Sequence, residues 1–172
     1  MAYVYAVLHA PTYRERYGEF LRIDFPRVPF PENLDDFRRL AELGQVLMEA
    51  HLMRVVPDSG LAKYAYEGAE KADHEVREVR YDTRRQRLWI NDTTFFAPVP
   101  ENVWNFHIGG YQVLAKYLKD RKGRTLSLDD IRQVERIANI LAFTIEHMQR
   151  IDAAYRQVFN LPQGSGQVEA TD

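Results

Sequence analysis

The sequence predicts a helix-dominated α+β domain, and three observations carry that prediction. Ile131, Val134, Ala138, Leu141, Ile145, Met148, Ile151 and Tyr155 form one sustained apolar stripe at helical spacing. A second broad apolar face, Phe37, Leu40, Ala41, Leu43, Leu47, Ala50 and Leu52, stands earlier in the chain. Between the two, from Glu75, the period shortens towards two.

Taken in order, residues 3–9 are apolar and aromatic. Pro11 suits the first turn of a helix running to about residue 23, because its missing N–H is not needed there. Tyr13, Tyr17, Phe20 and Leu21 sit at helical spacing along it. The run DFPRVPFP, with prolines at 26, 29 and 31, predicts a stiff, extended connector. A helix over about 34–53 follows, with Asn33 as N-cap and Asp35 and Asp36 on the positive end of its dipole. The run PDSG at 57–60 breaks the chain.

EVREVRYD and RLWIN, joined by DTRRQ, predict a β-hairpin near 75–92 with a basic tip. TTFFAPVP continues it as a short strand or loop. Residues 102–106 predict a short helix ahead of Gly109-Gly110, and 111–118 another that ends near Lys122-Gly123. Ser127 caps the long closing helix, with Asp129 and Asp130 in its first turn, and the stripe carries it to about residue 159. The chain therefore predicts one domain over 1–160. A tail over 161–172, with Gly164, Ser165 and Gly166, is predicted to be disordered.

Composition bounds the function. A chain of 172 residues, 45% hydrophobic and 28% charged, can build a real core. The formal net charge is -2, so any nucleic-acid contact must rest on positive charge gathered on one face. The absence of cysteine excludes disulfides, thiolate metal sites and cysteine nucleophiles, and suits a reducing cytoplasm. No apolar run approaches the ~20 residues of a membrane span. The start MAYVYAVLHA lacks the basic and apolar regions of a signal peptide.

Catalytic motifs are missing: there is no GxGxxG, GxxxxGK[ST], GxSxG or HExxH. His9, His51, His74, His107 and His147 do not pair at a ligand spacing, and no nucleophile, base and orienter fall together. Three other features are candidates for binding. Lys116, Lys119, Arg121, Lys122 and Arg124 face a single acid, Asp120, in the densest basic run. Such a run either contacts phosphates or simply ends a helix in solvent, where cations favour its dipole. Arg84, Arg85 and Arg87 at the hairpin tip, with Arg77 and Arg80 on its first strand, could enter a major groove, or could be a solvated hairpin. Trp104, Phe106 and Tyr111 beside the glycine pair either stack on a base or fill a core. Asn105, His107 and Gln112 add polar groups that can read base edges.

Three segments together resemble a known family. YVYAVLHAPTYRERYGEFLRIDFPRVPFP (3–31), VWNFHIGGYQVLAKYLKDRKGRTLSLDDI (103–131) and the closing helix with IDAAY (151–155) are similar to the C-terminal region of type ISP, single-polypeptide restriction-modification enzymes. The resemblance spans about residues 3–159, and its most specific runs are DFPRVPFP and GGYQVLAKYLKDRKGR.

The resemblance implies a target recognition domain that binds duplex DNA. The parent enzyme would also contain a nuclease, an ATP-driven helicase-like motor and an adenine-N6 methyltransferase. Motifs for those three are missing here, so S-adenosylmethionine, ATP and Mg are expected only in the parent's other domains, and this chain is expected not to be an enzyme by itself. An alternative is a coupling module that docks on a methyltransferase or motor domain without reading bases. The apolar start at 3–8 would then be an exposed former interface.

Overall fold

A computed structural model of the chain describes residues 1–162; the expected tail lies almost wholly outside the described residues. Its elements are α1 (Ala2–His9), α2 (Pro11–Tyr17), α3 (Phe20–Ile23), α4 (Leu34–His51), β1 (Lys63–Tyr66), β2 (Arg80–Asp82), β3 (Arg87–Trp89), β4 (Thr94–Ala97), α5 (Glu101–Trp104), β5 (His107–Ile108), β6 (Tyr111–Gln112), α6 (Val113–Lys119) and α7 (Leu128–Val158). The fold is α+β, with a small antiparallel sheet and a long C-terminal helix. Two compact units contain these elements: a helical unit (Met1–Leu52 with the chain from Glu146 onward) and a mixed unit (Met53–Ile145).

In the helical unit, α1 lies against α4. The approach is close enough that a Cβ on Gly44 would stand 2.0 Å from the Ala2 carbonyl oxygen. Tyr3, Ala6 and Val7 are buried, so the apolar start is a core element and not a bare interface. The Tyr3 ring stacks with Phe30 and Phe37 at centroid distances of 5.4 and 4.6 Å, and its hydroxyl donates to the Pro29 carbonyl. The Tyr13 hydroxyl donates to the Arg27 carbonyl at 3.1 Å. The proline-rich connector is thus held at two points by tyrosine hydroxyls.

The single helix expected over 11–23 is instead α2 and α3, divided by a turn at Gly18 and Glu19. Glycine is the poorest helix former after proline, so a break falls there cheaply. Asn33 caps α4 as expected, accepting from the Asp36 N–H at 2.8 Å. The closing end of α7 is fixed to the start of α2 by Asp152, which accepts from the Thr12 N–H (2.7 Å), the Thr12 hydroxyl (2.8 Å) and the Arg156 guanidinium (2.8 Å).

In the mixed unit the four-stranded sheet runs β1-β4-β3-β2, antiparallel throughout. Register puts Tyr64, Phe96, Leu88 and Tyr81 on one face. That face closes a core with Val103, Leu114, Leu118, Ile131, Val134 and Ala138. The edge strand β1 was not expected from the sequence. The buried Asn91 organises the tight connection after β3. Its amide donates to the carbonyls of Asp73 and Glu75, and its oxygen accepts from the N–H groups of Thr93 and Thr94. Every polar atom of that side chain is paired, as burial requires.

Ser127 caps α7 by accepting from the Asp130 N–H at 3.1 Å, and Asp130 reaches back to the Ser127 N–H (3.1 Å) and hydroxyl (2.8 Å). No helix among the described residues is long and apolar enough to cross a membrane.

Candidate nucleic-acid interface

The two basic regions picked out in the sequence meet through backbone. The Val76 N–H donates to the Arg124 carbonyl (3.0 Å), the Gly123 N–H to the Val76 carbonyl (2.7 Å) and the Leu126 N–H to the His74 carbonyl (2.9 Å). Glu75 and Thr125 form an antiparallel bridge within this pairing. Gly123 permits the entry, because its φ of +78° lies in the left-handed region.

Arginines dominate the hairpin region, yet most of them are engaged. The Arg77 guanidinium pairs with Asp73 (2.6 Å) and Glu75 (3.0 Å). The Glu75 N–H and that guanidinium hold the Asp73 carboxyl below its usual range. Arg87 pairs with Glu67 at 2.7 Å and lies over the Phe95 ring at 4.2 Å. Arg80 lies over the Trp89 ring at 5.3 Å. On the outer sheet face these two guanidiniums cover Trp89 and Phe95, each only 6% exposed, so both arginines have packing roles. Arg85 has a long contact to the same Glu67, at 3.9 Å. Arg84, at the exposed turn, has no ion pair among the described residues.

The run 116–124 divides in the same way. Arg121 is half-buried: it donates to Asp130 at 2.8 Å and to the Tyr117 carbonyl at 3.0 Å, and its guanidinium stacks 3.6 Å from the Tyr117 ring. The Arg121 guanidinium, followed by the Ser127 N–H, holds the Asp130 carboxyl far below the usual carboxylate range. Lys116 pairs with Asp120 and sits 5.8 Å from the Tyr111 ring. Lys119, Lys122 and Arg124 are exposed and have no ion pair among the described residues. They are the uncompensated charge of this face.

The aromatic trio separates. Trp104 stacks on Tyr81 at 5.1 Å and 17°, and both Trp104 and Phe106 pack against the core. Tyr111 alone is exposed, at 63%. It belongs to a two-stranded hairpin of β5 and β6, where the sequence predicts a glycine pair followed by a helix over 111–118. The hairpin pairs His107 with Gln112 and Ile108 with Tyr111. Its base is braced: the Gln112 amide donates to the Trp104 carbonyl at 2.6 Å, and the Val113 N–H donates to the Phe106 carbonyl at 3.2 Å. The His107 ring nitrogen Nδ1 sits 2.6 Å from the Asn105 carbonyl, which occupies one edge of the imidazole. Asn105 is exposed next to it. Ile108, 62% exposed, was missed; two large apolar residues flanking Gly-Gly were the available signal.

Comparison with known proteins places these features in a family. The model of the Type ISP C-terminal specificity domain matches residues 1–150. Among solved structures, the chain is similar to one in a cryo-EM structure of a DrdV–DNA complex, at 25% identity and a TM-score of 0.65, over 95% of this chain and 18% of that one. It is similar in fold to a nuclease-deletion mutant of the Type ISP restriction-modification enzyme LlaGI in complex with a DNA substrate mimic (22% identity, TM-score 0.55, 94% of this chain and 13% of that one). The ATP-dependent Type ISP restriction-modification enzyme LlaBIII bound to DNA gives 17% identity and a TM-score of 0.56, over 97% of this chain and 11% of that one. None of the curated proteins matches the chain. The chain thus spans less than a fifth of the length of each of these three relatives.

Proposed function

Since the chain belongs to the family of Type ISP C-terminal specificity domains, we propose that it recognises a short duplex DNA sequence on behalf of a longer restriction-modification polypeptide. The observation that carries this reading is a fold match over 95% of the chain to part of a protein solved on DNA, joined to an uncompensated cationic face on the mixed unit. Lys119, Lys122 and Arg124 supply sequence-independent phosphate contacts, which position the protein but do not specify bases. Arg84, Asn105 and His107 remain the candidates for base edges, through guanidinium, amide and imidazole donors and acceptors, while Gln112 braces the hairpin that carries His107. Arg77, Arg80, Arg87 and Arg121 hold the scaffold that presents them.

In this reading methyl transfer, ATP hydrolysis and cleavage, with their S-adenosylmethionine, ATP and Mg, belong to other domains of the parent. The described residues contain no group of three or more His, Asp or Glu suited to a metal, and no step is assigned to one here.

The test is a gel-shift series across salt with specific and scrambled duplexes. Three phosphate contacts predict a slope of log affinity against log salt of about -2.7 from these residues. Reversing Lys119, Lys122 and Arg124 to glutamate is expected to remove about that slope and weaken all duplexes alike. Unchanged affinity in the variant overturns the assignment of the face. Salt-insensitive failure of both duplexes on the wild-type chain overturns DNA recognition by this domain.

A second reading has its own observation. In the helical unit Phe20, Ile23 and Phe25 are 65–89% exposed around an apolar groove of about 440 Å³. Contiguous exposed apolar surface of this kind marks a docking site. Docking on a methyltransferase or motor domain through 20–30, with no loss of DNA binding in Phe20→Ser/Phe25→Ser, separates the two roles.

A further inference from the structure

The hairpin of β5 and β6 presents two apolar side chains where a soluble protein gains nothing from them. Ile108 is 62% and Tyr111 63% exposed. They are direct cross-strand partners, so both project from the same side of the hairpin about 5 Å apart. The turn between them is Gly109-Gly110. Gly109 takes a φ of +59°, and a Cβ built on either glycine meets no atom within 4 Å. The tip therefore stands clear of the rest of the molecule. Its base does not move freely, because Gln112 and Val113 bond to Trp104 and Phe106, and Trp104 is stacked on Tyr81. Ile108, Tyr111, Lys116, Tyr117 and Asp120 line a shallow groove of about 360 Å³ along α6. The same helix ends in the uncompensated Lys119, with Lys122 and Arg124 just beyond.

A rigid, narrow apolar tip at one end of α6, with unpaired cations at and beyond its other end, matches a polyanion whose interior is apolar, which is a stacked duplex. We infer that Ile108 and Tyr111 form a wedge that enters the base stack of bound DNA and opens one base step. This rests on the DNA-binding reading above and adds a mode of recognition to it. Apolar side chains inserted in this way unstack and kink a duplex, so sequence is read through the ease of opening a step as well as through base edges. The open glycine turn lets backbone pass close to the groove wall, where a Cβ would hold it off. Lys119, Lys122 and Arg124 hold phosphates near the distorted step. A protein partner is the competing occupant of the same tip. The lysines and arginine favour DNA by charge complementarity, since nothing about an apolar protein patch calls for them.

The experiment uses the 172-residue chain and a duplex of about 30 base pairs enriched by that chain from a random pool. Permanganate, which oxidises thymines only where they are unstacked, reads the step. The wild type is expected to make a thymine at one step reactive. Ile108→Ala/Tyr111→Ala is expected to abolish that reactivity, to bind about tenfold more weakly and to keep the same salt slope. Tyr111→Phe is expected to retain the reactivity. Both side chains are mostly exposed, so an unchanged circular dichroism spectrum and melting temperature show that the double variant is folded. Bound duplex with no reactive thymine at any step, tested with thymine placed at every position, overturns the wedge while leaving DNA recognition intact. So does a double variant that matches the wild type in reactivity and affinity, which returns the tip to a protein partner. Failure of the wild type to bind any duplex at low salt overturns both, and shows in the binding measurement before the permanganate step.

Discussion

Replacing Gly44 with alanine gives opposite expectations from the helix alone and from the fold. In an isolated helix alanine is favoured over glycine by about 1 kcal/mol. In the folded chain the new Cβ would lie 2.0 Å from the Ala2 carbonyl oxygen, 2.9 Å from the Ala2 carbonyl carbon and 3.0 Å from the Ala6 nitrogen. All three atoms are backbone of α1, so no side chain can rotate out of the way. Restoring an ordinary contact near 3.4 Å moves α1 back by about 1.4 Å. That shift separates Tyr3, Ala6 and Val7, each at most 2% exposed, from what they pack on. A gap of this size forfeits roughly a quarter to a half or more of the dispersion attraction across it. Burial of Val7 and the Tyr3 ring is worth about 4 kcal/mol together, so about 2 kcal/mol is lost, and overpacking strain adds about 1 more. Subtracting the gain in helix propensity leaves a net destabilisation of about 2 kcal/mol. Urea denaturation followed by far-ultraviolet circular dichroism reads it as a midpoint lowered by about 1 M at unchanged slope, for a slope of about 2 kcal/mol/M. A midpoint equal to or above that of the wild type would refute the close approach of α1 to α4.

Further outcomes follow at the cap of α7 and at His51. Asp130→Ala removes the reciprocal cap of α7 and leaves the half-buried Arg121 without its carboxylate, so a loss of about 2 kcal/mol in urea denaturation is expected, with Ser127→Ala costing about 1. The depressed Asp130 pKa makes its contribution complete above the ordinary carboxylate range, with progressive loss as pH falls through and below it; an acid denaturation curve unchanged in Asp130→Asn would count against this. Burial and the neighbouring His9 push the His51 pKa down to about 4 from an ordinary 6.5. Between those values the unfolded chain binds a proton that the folded chain does not, so stability falls as pH drops from 6.5 towards 4. Discounted for a half-exposed ring, the loss from pH 7 to 5 is about 1 kcal/mol, and His51→Gln is expected to flatten that part of the stability profile.

Much of the helical framework was legible because its signals are local. The Asn33 and Ser127 caps bond groups three residues away, and the stripe of α7 is written in consecutive turns. The elements that escaped notice depend on distant partners. β1 exists because Tyr64 pairs with Phe96, more than thirty residues later. β5 and β6 are two residues each, too short to show a period. The same holds for the candidate site. Charge density picks out the basic segments, but which of their arginines are engaged depends on acids elsewhere in the chain: Glu67 for Arg87 and Asp130 for Arg121. Trp104 and Phe106 looked equivalent to Tyr111 until Tyr81 and the core claimed them.

The pairing of residues 74–76 with 123–126 has an evolutionary consequence. It is made of main-chain N–H and carbonyl groups, and such bonds do not depend on the identity of the side chains beside them. Lys122 and Arg124 sit on or next to that clamp with their side chains exposed and no ion pair among the described residues. Exchanging them for other residues leaves the closure of the loop between residues 77 and 122 untouched. A chain built this way can change the charge displayed beside the clamp with little cost in folding, since the positions free to vary are not the ones that hold the ends together.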